Sequence, residues 1–281
     1  TRLVHYEGIF SDRRYPDTSD IESQMYPPAE RIEQFLSENR DKPFICCEYT
    51  HAMGNSCGGM YKYVELSERE LLYQGGFIWD YIDQSLWKKN RYGQEFQAYG
   101  GDFYDRPCDY SFCGNGIVYG GDREPSPKMQ EIKFLYQAIS VKVRENEVEI
   151  YNKNLFVSTE KWECRVTLEQ EGRLIETYVL ETDVAPLSSK SYPLELSKQT
   201  ESGEYAITVS FHLREPDIWA ERGYEIAFGQ YIYRIKQEKT VHTYPFRVVK
   251  NSRNIGVQGE DFEVLFSLQS GGLVSYKYGG T

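Results

Sequence analysis

The segment Phe44-Ile45-Cys46-Cys47-Glu48-Tyr49-Thr50-His51 sets a carboxylate directly after an unbroken apolar run. Four consecutive apolar residues are typical of a strand that is buried on both faces, as the strands of parallel sheets are. The pattern therefore predicts a strand over 44–47, with Glu48 directly after its last residue. In a parallel barrel the carboxyl ends of the strands form the active face, so Glu48 is the first candidate for a catalytic residue.

Strands and helices alternate on both sides of this segment, up to about residue 137. Further strands are predicted at Leu3–Tyr6, Ile21–Tyr26 and Phe77–Trp79, the last introduced by Gly75-Gly76. The predicted helices are one opened by Pro27-Pro28 with Ile32, Phe35 and Leu36 at helical spacing, and one with Met60, Tyr63 and Val64 on one face. This alternation indicates a parallel sheet, either open or closed into a barrel.

The pattern changes after Gln137, where apolar and polar residues alternate strictly. Several alternating strands over roughly 110 residues predict an antiparallel β-sandwich of the immunoglobulin type, over residues 138–247. The alternating apolar positions are Val141 and Val143, Val148 and Ile150, Trp162, Cys164, Val166 and Leu168, Tyr205, Ile207, Val209, Phe211 and Leu213, and Tyr231, Tyr233 and Ile235.

Residues 248–281 form a third predicted piece. Phe262–Phe266 and Leu273–Tyr276 are predicted strands joined across Gly271-Gly272. A pair of strands buries too little apolar surface for independent stability. We interpret this piece as the first hairpins of a larger β-sandwich domain.

The composition excludes several kinds of partner. With 32 Lys+Arg against 43 Asp+Glu, the 281-residue chain carries a net charge of -11, which repels a phosphate backbone, so no nucleic acid partner is expected. No apolar run approaches the length of a membrane span, so no membrane partner is expected. The chain opens at Thr1 without an initiator Met or a signal peptide, and we expect it to be an internal piece of a longer cytoplasmic protein.

The cysteines do not form a metal-binding pattern. No C-x-x-C pair has a matching second pair, so no zinc site is predicted. The neighbouring Cys46 and Cys47 are expected on opposite faces of one strand, as reduced core residues. The six cysteines are Cys46, Cys47, Cys57, Cys108, Cys113 and Cys164.

A carboxylate at a strand end can serve chemistry or structure. Glu48, bracketed by Tyr49 and His51, can be held ionised and attack an anomeric carbon, which forms a glycosyl-enzyme intermediate. The alternative is a structural glutamate paired with an arginine. Tyr26 ends the preceding predicted strand, where its phenol can donate a hydrogen bond to the carboxylate or can simply fill the core.

Three further residues have both a binding and a structural interpretation. His51 can bond a substrate hydroxyl or be a satisfied structural histidine. Trp79 can form the floor of a sugar site through its apolar face, or pack in the core. Asn115 lies in Phe112-Cys113-Gly114-Asn115-Gly116, and Asn-Gly is the strongest short turn signal, so a turn is the stronger interpretation there.

The segment Cys47-Glu48-Tyr49-Thr50-His51-Ala52-Met53-Gly54-Asn55-Ser56 resembles the nucleophile signature of glycoside hydrolase family 2 β-galactosidases. The resemblance covers nearly the whole α/β part and is weaker after residue 137, where it rests on the expected order of a sandwich and then a large β-domain. The other matching stretches lie in the family's order, at Tyr6-Glu7-Gly8, Met25-Tyr26, Gln74–Asp80, Asp83–Leu86, Tyr99–Phe103 and Phe112–Gly116.

The resemblance implies a bacterial β-galactosidase with a (β/α)8 TIM barrel and a retaining mechanism that uses two carboxylic acids. Residues 1–137 then correspond to the C-terminal half of the barrel. Glu48 resembles the nucleophile on the seventh strand, and Tyr26 resembles the sixth-strand tyrosine that hydrogen-bonds it. His51 and Trp79 resemble residues that line the galactose pocket. The implied partner is a galactoside substrate, and a homo-oligomer is expected for the complete protein.

The resemblance also implies two metal ions. Phe112, through its carbonyl, and Asn115, through its side chain, resemble residues beside a sodium ion that bridges to the sugar's 6-hydroxyl. The aspartate that completes the sodium site is expected upstream of this chain. The magnesium ligands of the family lie near its acid/base glutamate and are expected outside this chain as well.

One half of the family's catalytic pair is not found. Its acid/base glutamate stands in an Asn-Glu pair at the end of the fourth strand, whereas the pair in this chain, Asn146-Glu147, lies in a predicted turn of the sandwich. A positioned acid typically contributes about 10²- to 10⁴-fold to the rate, so the chain alone is expected to have little or no β-galactosidase activity. Four strands of a barrel leave open edges, so the half-barrel is expected to be unstable alone, to pair with a copy or to be partly disordered.

Two other functions stay open at this point. Another family 2 glycosidase, such as a β-glucuronidase or a β-mannosidase, would use the same nucleophile, although His51 together with the Phe112–Gly116 segment favours galactose. A non-catalytic sugar-binding or assembly module built on the sandwich would use surface aromatics such as Trp219 and Tyr224. Those two side chains could instead only cover the edge of the sandwich.

Overall fold

The computed structural model describes residues 2–236 and 245–279. Within these ranges the α-helices are α1 (Ala29–Glu38), α2 (Tyr61–Arg69) and α3 (Lys128–Tyr136), with short 3-10 helices at Glu7–Phe10, Pro16–Thr18, Tyr110–Cys113 and Thr159–Lys161. The strands, in chain order, are β1 (Glu22–Met25), β2 (Phe44–Tyr49), β3 (Tyr73–Ile78), β4 (Leu86–Lys89), β5 (Glu95–Ala98), β6 (Ile139–Val143), β7 (Glu147–Asn152), β8 (Trp162–Gln170), β9 (Arg173–Leu180), β10 (Ser188–Pro193), β11 (Gly203–Leu213), β12 (Glu225–Ile235), β13 (Arg247–Lys250), β14 (Asn254–Gln258), β15 (Phe262–Ser267) and β16 (Gly272–Tyr278).

A parallel sheet in the order β1-β2-β3 carries the first part of the chain, with α1 and α2 as its crossovers. The predicted alternation of strands and helices is confirmed here. The strand predicted at Leu3–Tyr6 is not formed and is reduced to a parallel bridge between His5 and Ile21. The reason is local: Val4 exchanges hydrogen bonds with Asp20 and the chain then turns into a 3-10 helix, so no run of residues is left to pair.

The third strand begins earlier than the sequence predicts. Gly75 and Gly76, expected to lie before a strand at 77–79, lie inside β3 instead. A Cβ added at Gly76 would lie 2.7 Å from the Cβ of Cys46 on β2, so only glycine allows the two strands to approach this closely. Glycine inside a strand often marks such a contact.

The apolar core of this part lies between the sheet and its helices. Phe44, Cys46 and Tyr49 of β2 point to the helix side and are at most 3% exposed. They belong to one cluster with residues of all three helices and of the loops between them, among them Ile32, Leu36, Met60, Leu66, Tyr73, Ile117 and Ile132. Burying such side chains stabilises each by about 1.5–3 kcal/mol relative to exposure, so this cluster holds the sheet and helices together.

The chain after β3 forms a hairpin, β4-β5, and then returns to the sheet. Asp80 N donates to the Asn115 carbonyl at 2.9 Å, and Ile117 N donates to the Asp80 carbonyl at 3.0 Å. The Asn115-Gly116 pair therefore runs alongside Asp80 and does not form a tight turn, so the turn interpretation is wrong. A Cβ at Gly116 would lie 2.1 Å from the Asp83 amide nitrogen, which explains the glycine at this position.

Two antiparallel sheets follow, in the orders β10-β7-β6 and β12-β11-β8-β9. The predicted alternation of apolar and polar residues is confirmed, because buried and less buried side chains alternate along these strands. Nine inward-facing residues of β7, β8 and β11 are at most 2% exposed, and they are Val148, Ile150, Cys164, Val166, Leu168, Tyr205, Ile207, Val209 and Phe211. Each of these strands thus buries one face in an apolar core, because successive side chains of a strand point to opposite faces of the sheet.

Helix α3 connects the parallel sheet to these two sheets. Gln137 exchanges two hydrogen bonds with the backbone of Phe228, of 3.0 and 3.1 Å, and the ring of Phe134 lies 5.2 Å from that of Phe228. Lys133 pairs with Glu225 at 3.3 Å. The domain boundary predicted at residue 137 falls within this contact and stays a prediction.

The chain divides into two compact units. One comprises residues up to Lys198 together with Tyr205–Ile232, and the other comprises Gln199–Glu204 and the residues after Ile232. The second unit contains an antiparallel sheet in the order β13-β14-β15-β16, which includes the two predicted strands joined across Gly271-Gly272. The boundary predicted at residue 247 also stays a prediction. Among the described residues, none of the helices has the length and apolarity needed to cross a membrane.

The contact between β12 and β6 predicts a sensitive position. A Cβ at Gly229 would lie 2.0 Å from the Val141 carbonyl oxygen, so Gly229→Ala forces backbone atoms apart. We expect the variant to lose about 1–3 kcal/mol of unfolding free energy, measured by urea denaturation. Gly58→Ala is the matched control, because its added Cβ meets no atom within 4 Å. Equal stability of the two variants would contradict the close approach.

Candidate active site

The candidate site lies where three parallel strands end. The Tyr26 amide donates to the Glu48 carbonyl at 2.8 Å, and the Ala52 amide donates to the Trp79 carbonyl at 2.8 Å. These two hydrogen bonds continue the pairing of β1 with β2 and of β2 with β3 beyond the ends of the strands. The side chains that follow each strand are thereby brought to one edge of the sheet, as the sequence predicts for a parallel sheet.

A β-bulge in β2 aims the carboxylate of Glu48. In the pairing of β1 with β2, Gln24 lies opposite Cys46 and Met25 lies opposite Glu48, so Cys47 is the extra residue. Phe44, Cys46 and then Tyr49 face the helices, so the alternation slips by one residue between 46 and 49. Without the slip, Glu48 would point into the helix-side core. The strand also runs to Tyr49 and not only to residue 47, so the predicted end of the strand is wrong by two residues.

Tyr26 and Glu48 form the central contact of the site. The Tyr26 hydroxyl donates to Glu48 Oε2 at 2.6 Å. Burial, followed by this hydrogen bond to the carboxylate, raises the pKa of Tyr26 above its usual value. The phenol therefore stays protonated at neutral pH and remains a donor. Tyr26 has a φ of 52°, a left-handed conformation that is rare for a side-chain-bearing residue and is often found at functional sites.

His51 lies beside Tyr26 and Glu48 at the same edge of the sheet. Its Nδ1 accepts from the Met53 amide at 3.3 Å, which leaves Nε2 to carry the proton of the neutral ring. The His51 ring lies 5.9 Å from the ring of Tyr26 and 5.8 Å from that of Phe112. The Ser56 hydroxyl donates to the His51 carbonyl at 2.5 Å, which fastens the loop that carries the histidine.

Trp79 and Asp80 follow β3 at the same edge. Trp79 is half-buried, in agreement with either a pocket floor or partial core packing. Asp80 was not singled out from the sequence. One of its carboxylate oxygens, Oδ1, is buried and has no hydrogen-bond partner among the described residues. Burial, and then the charge of Asp83, raises the pKa of Asp80. A charged residue directly after a predicted strand was the signal that could have identified it.

Phe112 and Asn115 lie together on residues 112–118, the segment that returns to the sheet after the β4-β5 hairpin and is called the return segment below. The Asn115 side chain is 1% exposed, and its Nδ2 donates to the Phe112 carbonyl at 3.1 Å. Its other side-chain atom, Oδ1, is buried without a hydrogen-bond partner among the described residues. An amide oxygen and a backbone carbonyl are ligands that hard cations accept. Among the described residues, no group of three or more His, Cys, Asp or Glu side chains could hold a metal ion.

The remaining candidates lie away from this edge. Asn146 lies between β6 and β7, where its carbonyl accepts from the Leu194 amide at 2.9 Å, and Glu147 is the first residue of β7 and not part of the predicted turn. The Trp219 and Tyr224 rings stack edge to face with centroids 5.4 Å apart, and Lys133 of α3 lies 4.9 Å above the Tyr224 ring. Tyr224 is thus part of the contact between α3 and the sandwich, which favours the edge-covering interpretation of these two aromatics.

Comparisons with known proteins agree with the geometry. The family described as "Glycosyl hydrolases family 2, TIM barrel domain" matches residues 1–141, half of the 281-residue chain. The chain belongs to glycosyl hydrolase family 2. A second description, "Beta-galactosidase, domain 4", matches residues 148–233, which hold most of the two antiparallel sheets. The family 2 resemblance read from the motifs is therefore confirmed.

Curated relatives of this family 2 chain include several β-galactosidases. One from Halalkalibacterium halodurans is 51% identical over 285 residues, which cover 100% of this chain and 28% of that protein. One from Clostridium acetobutylicum is 47% identical over 280 residues, 99% of this chain and 31% of that protein. A β-galactosidase large subunit from Latilactobacillus sakei is 51% identical over 138 residues, 48% of this chain and 22% of that protein. The chain spans less than a third of the length of these relatives.

The contact between Tyr26 and Glu48 can be tested by titration. The tyrosine rings of the chain are labelled with carbon-13, and the Tyr26 NMR signal is assigned by its loss in Tyr26→Phe. We expect this signal to titrate with a pKa above the usual tyrosine value of about 10. Glu48→Gln removes the charged acceptor and lowers this pKa, although burial keeps it raised. An ordinary pKa for Tyr26 in both proteins would show that the phenol and the carboxylate are not in contact.

Proposed function

We propose that the protein containing this chain is a retaining β-galactosidase and that Glu48 is its nucleophile. The observation that carries the proposal is the 2.6 Å hydrogen bond from Tyr26 to Glu48 at the ends of adjacent parallel strands. Membership of family 2 and the β-galactosidase names of the relatives support it. The substrate is a terminal, non-reducing β-D-galactose residue, as in lactose.

The proposed reaction has two displacements. Because Tyr26 holds Oε2, the other carboxylate oxygen of Glu48 is free to attack the anomeric carbon. The glycosidic C–O bond breaks, the leaving oxygen takes a proton from an acid that this chain does not supply, and a glycosyl ester forms on Glu48. Water then attacks the same carbon and gives its proton to the same acid/base group, which releases galactose and the free carboxylate.

The Tyr26 hydroxyl is proposed to position the nucleophile and to adjust its reactivity. The bond occupies Oε2 and so fixes the orientation of the carboxylate before the attack. As negative charge leaves the carboxylate in the transition state, the raised pKa of Tyr26 prevents loss of the donor proton. Tyr26 thus acts throughout as a donor.

His51 and Trp79 are proposed to line the galactose pocket. The protonated Nε2 of His51 can donate to a sugar hydroxyl, and the Trp79 ring offers an apolar face to the C–H side of the sugar. Both side chains follow strands whose ends are tied to the strand that carries Glu48. β-Glucuronidase and β-mannosidase remain the alternatives within family 2, and hydrolysis of a panel of aryl glycosides by the complete protein distinguishes them.

A sodium ion fits the segment of Phe112 and Asn115. The buried and unpartnered Asn115 Oδ1, next to the Phe112 carbonyl, matches the oxygen donors that the ion needs. A bound cation there would supply positive charge for a sugar hydroxyl. Further sodium ligands and the magnesium ligands are proposed to lie in parts of the protein outside this chain.

The proposed architecture follows from the same family. Residues 1–137 are proposed to be the C-terminal half of the (β/α)8 barrel, 138–247 an immunoglobulin-like sandwich and 248–281 the start of a larger β-domain. The complete barrel would supply the acid/base glutamate. A homo-oligomer is proposed for the complete protein.

Covalent labelling of the complete protein tests the role of Glu48 as the nucleophile. In an activated dinitrophenyl fluorogalactoside the leaving group departs unprotonated, so the glycosyl ester on Glu48 forms readily. The fluorine destabilises the oxocarbenium-like transition state of the water attack, so the sugar should remain attached to Glu48. Peptide mass mapping locates the label. We expect Glu48→Gln to abolish labelling and to lower kcat/KM for a nitrophenyl galactoside by at least about 10³-fold. A label on another residue would overturn the assignment.

The same assay measures the contribution of Tyr26. A hydrogen bond to a charged group contributes about 1.5–3 kcal/mol, so Tyr26→Phe should lower kcat about 10- to 100-fold. Tyr104→Phe is the matched control, because Tyr104 is 92% exposed, and its kcat should be unchanged. The isolated chain is expected to hydrolyse little or no nitrophenyl galactoside, and turnover near that of the complete protein would contradict the absence of the acid.

Sodium dependence tests the role of Asn115. In the complete protein, sodium should raise both activity and the thermal unfolding midpoint relative to the same concentration of potassium, because a ligand of the folded state stabilises it. We expect Asn115→Ala to remove both effects. Asn115→Asp keeps a side-chain oxygen and should retain them. A sodium response that persists in Asn115→Ala would place the ion elsewhere.

A further inference from the structure

A second cavity lies beside the loops of the candidate active site. Its volume is about 540 Å³. The loop after β2, the segment after β3, the return segment and the start of α3 surround it. Its lining includes Asn55, Ser56, Asp83, Gly116, Tyr119 and Lys128. Glu48, Tyr26 and Trp79 do not line it, so it is a separate cavity from the one proposed for galactose.

The walls of this cavity are held in place before any ligand binds. The Lys128 ammonium donates to the Gly54 carbonyl at 3.2 Å, which fastens the start of α3 to the loop after β2. Asp83 Oδ1 accepts from the Gly116 amide at 2.5 Å, which fastens the segment after β3 to the return segment. A site with preformed walls loses less conformational entropy when it binds a ligand.

The charges in the cavity select a neutral ligand. Lys128 and Asp83 both line it, but among the described residues they form no ion pair with each other. An anion such as phosphate would meet the Asp83 carboxylate in a chain whose net charge is already -11. A metal cation would meet the Lys128 ammonium. A neutral molecule rich in hydroxyl groups can donate to the carboxylate and accept from the ammonium.

The remaining lining residues fit the same class of ligand. Asn55 offers an amide that both donates and accepts, and among the described residues it makes no side-chain hydrogen bond. Tyr119 is 47% exposed and can present its ring to the C–H face of a sugar. Drug-sized and saccharide-sized ligands occupy cavities of about 300–1,000 Å³, so one or two hexose rings would be accommodated.

We propose that this cavity is a second saccharide site, which binds a neutral hexose separately from the Glu48 site. The occupant is a free hexose. A sugar here would touch the loop that carries His51 and the glycines on either side of Asn115. The proposal rests on the cavity alone and does not require Glu48 to be the nucleophile.

Glycine amide NMR of the chain tests the proposal with glucose as the probe. Met53-Gly54 and Asn115-Gly116 are the only Met-Gly and Asn-Gly pairs in the sequence, so carbonyl labelling of Met and Asn identifies Gly54 and Gly116, two of the three glycines that line the cavity. We expect both signals to shift with a Kd on the order of 1–10 mM. Gly172, in the turn between β8 and β9, does not line the cavity and serves as the internal control, so its signal should not move.

Variants locate the bound sugar. Lys128→Met and Asn55→Ala should each weaken glucose binding at least about fivefold, while Lys142→Met, an exposed lysine on β6, should leave it unchanged. Trp79→Ala alters the Glu48 site and should also leave it unchanged. Asn55→Ala removes no described hydrogen bond, so it tests the proposal even if Lys128→Met fails to fold.

Several results would overturn the proposal. Unmoved cavity glycines at 100 mM glucose would do so. So would shifts caused by inorganic phosphate or Mg²⁺ but not by glucose, or unchanged affinity in both Asn55→Ala and Lys128→Met. Loss of glucose binding in Trp79→Ala would assign the sugar to the Glu48 site. Because none of these readouts is hydrolysis, failure of Glu48 labelling and failure of this site can be told apart.

Discussion

The site depends on a slip of one residue in the central strand. A parallel strand sends alternate side chains to opposite faces, and β2 sends Phe44 and Cys46 toward the helices. Strict alternation would place Glu48 on that same side, as a buried carboxylate in an apolar core, which is energetically costly without a partner. The bulge at Cys47 gives the helix-facing position to Tyr49 and leaves Glu48 beside Tyr26. Bulges next to active sites often serve to redirect a side chain in this way.

The surroundings of β2 stabilise this slip. On the helix side, Tyr49 is 3% exposed and its hydroxyl lies 2.5 Å from that of Tyr136 on α3, so its position is fixed by packing and by a hydrogen bond. On the strand side, the Tyr26 amide bonds to the Glu48 carbonyl. The nucleophile candidate is therefore held by groups on both neighbouring layers. A catalytic group held in this way keeps its geometry without reorganisation when a substrate arrives.

The loops after the strands form a second level of organisation. The return segment around Asn115 pairs with the backbone of Asp80, so residues far apart in sequence share one edge. Two buried oxygens there, on Asp80 and Asn115, have no hydrogen-bond partner among the described residues. Such groups are rare in folded proteins and mark places where a ligand, ion or water belongs. Helix α3 then links this edge to the sandwich through Gln137 and Phe228.

The sequence by itself determined the family and supplied the candidate residues of the site. An unbroken apolar run predicted a buried parallel strand, strict alternation predicted the sandwich, and ordered motifs around Glu48 predicted family 2, because periodicity and motif order are local properties of the chain. The tertiary structure alone decided which way Glu48 points, that Gly75 and Gly76 lie within a strand, and that Asn115-Gly116 pairs with Asp80 in place of a turn. These three features depend on the distance between neighbouring strands and on hydrogen bonds between residues far apart in the sequence. A local sequence pattern does not encode either of them.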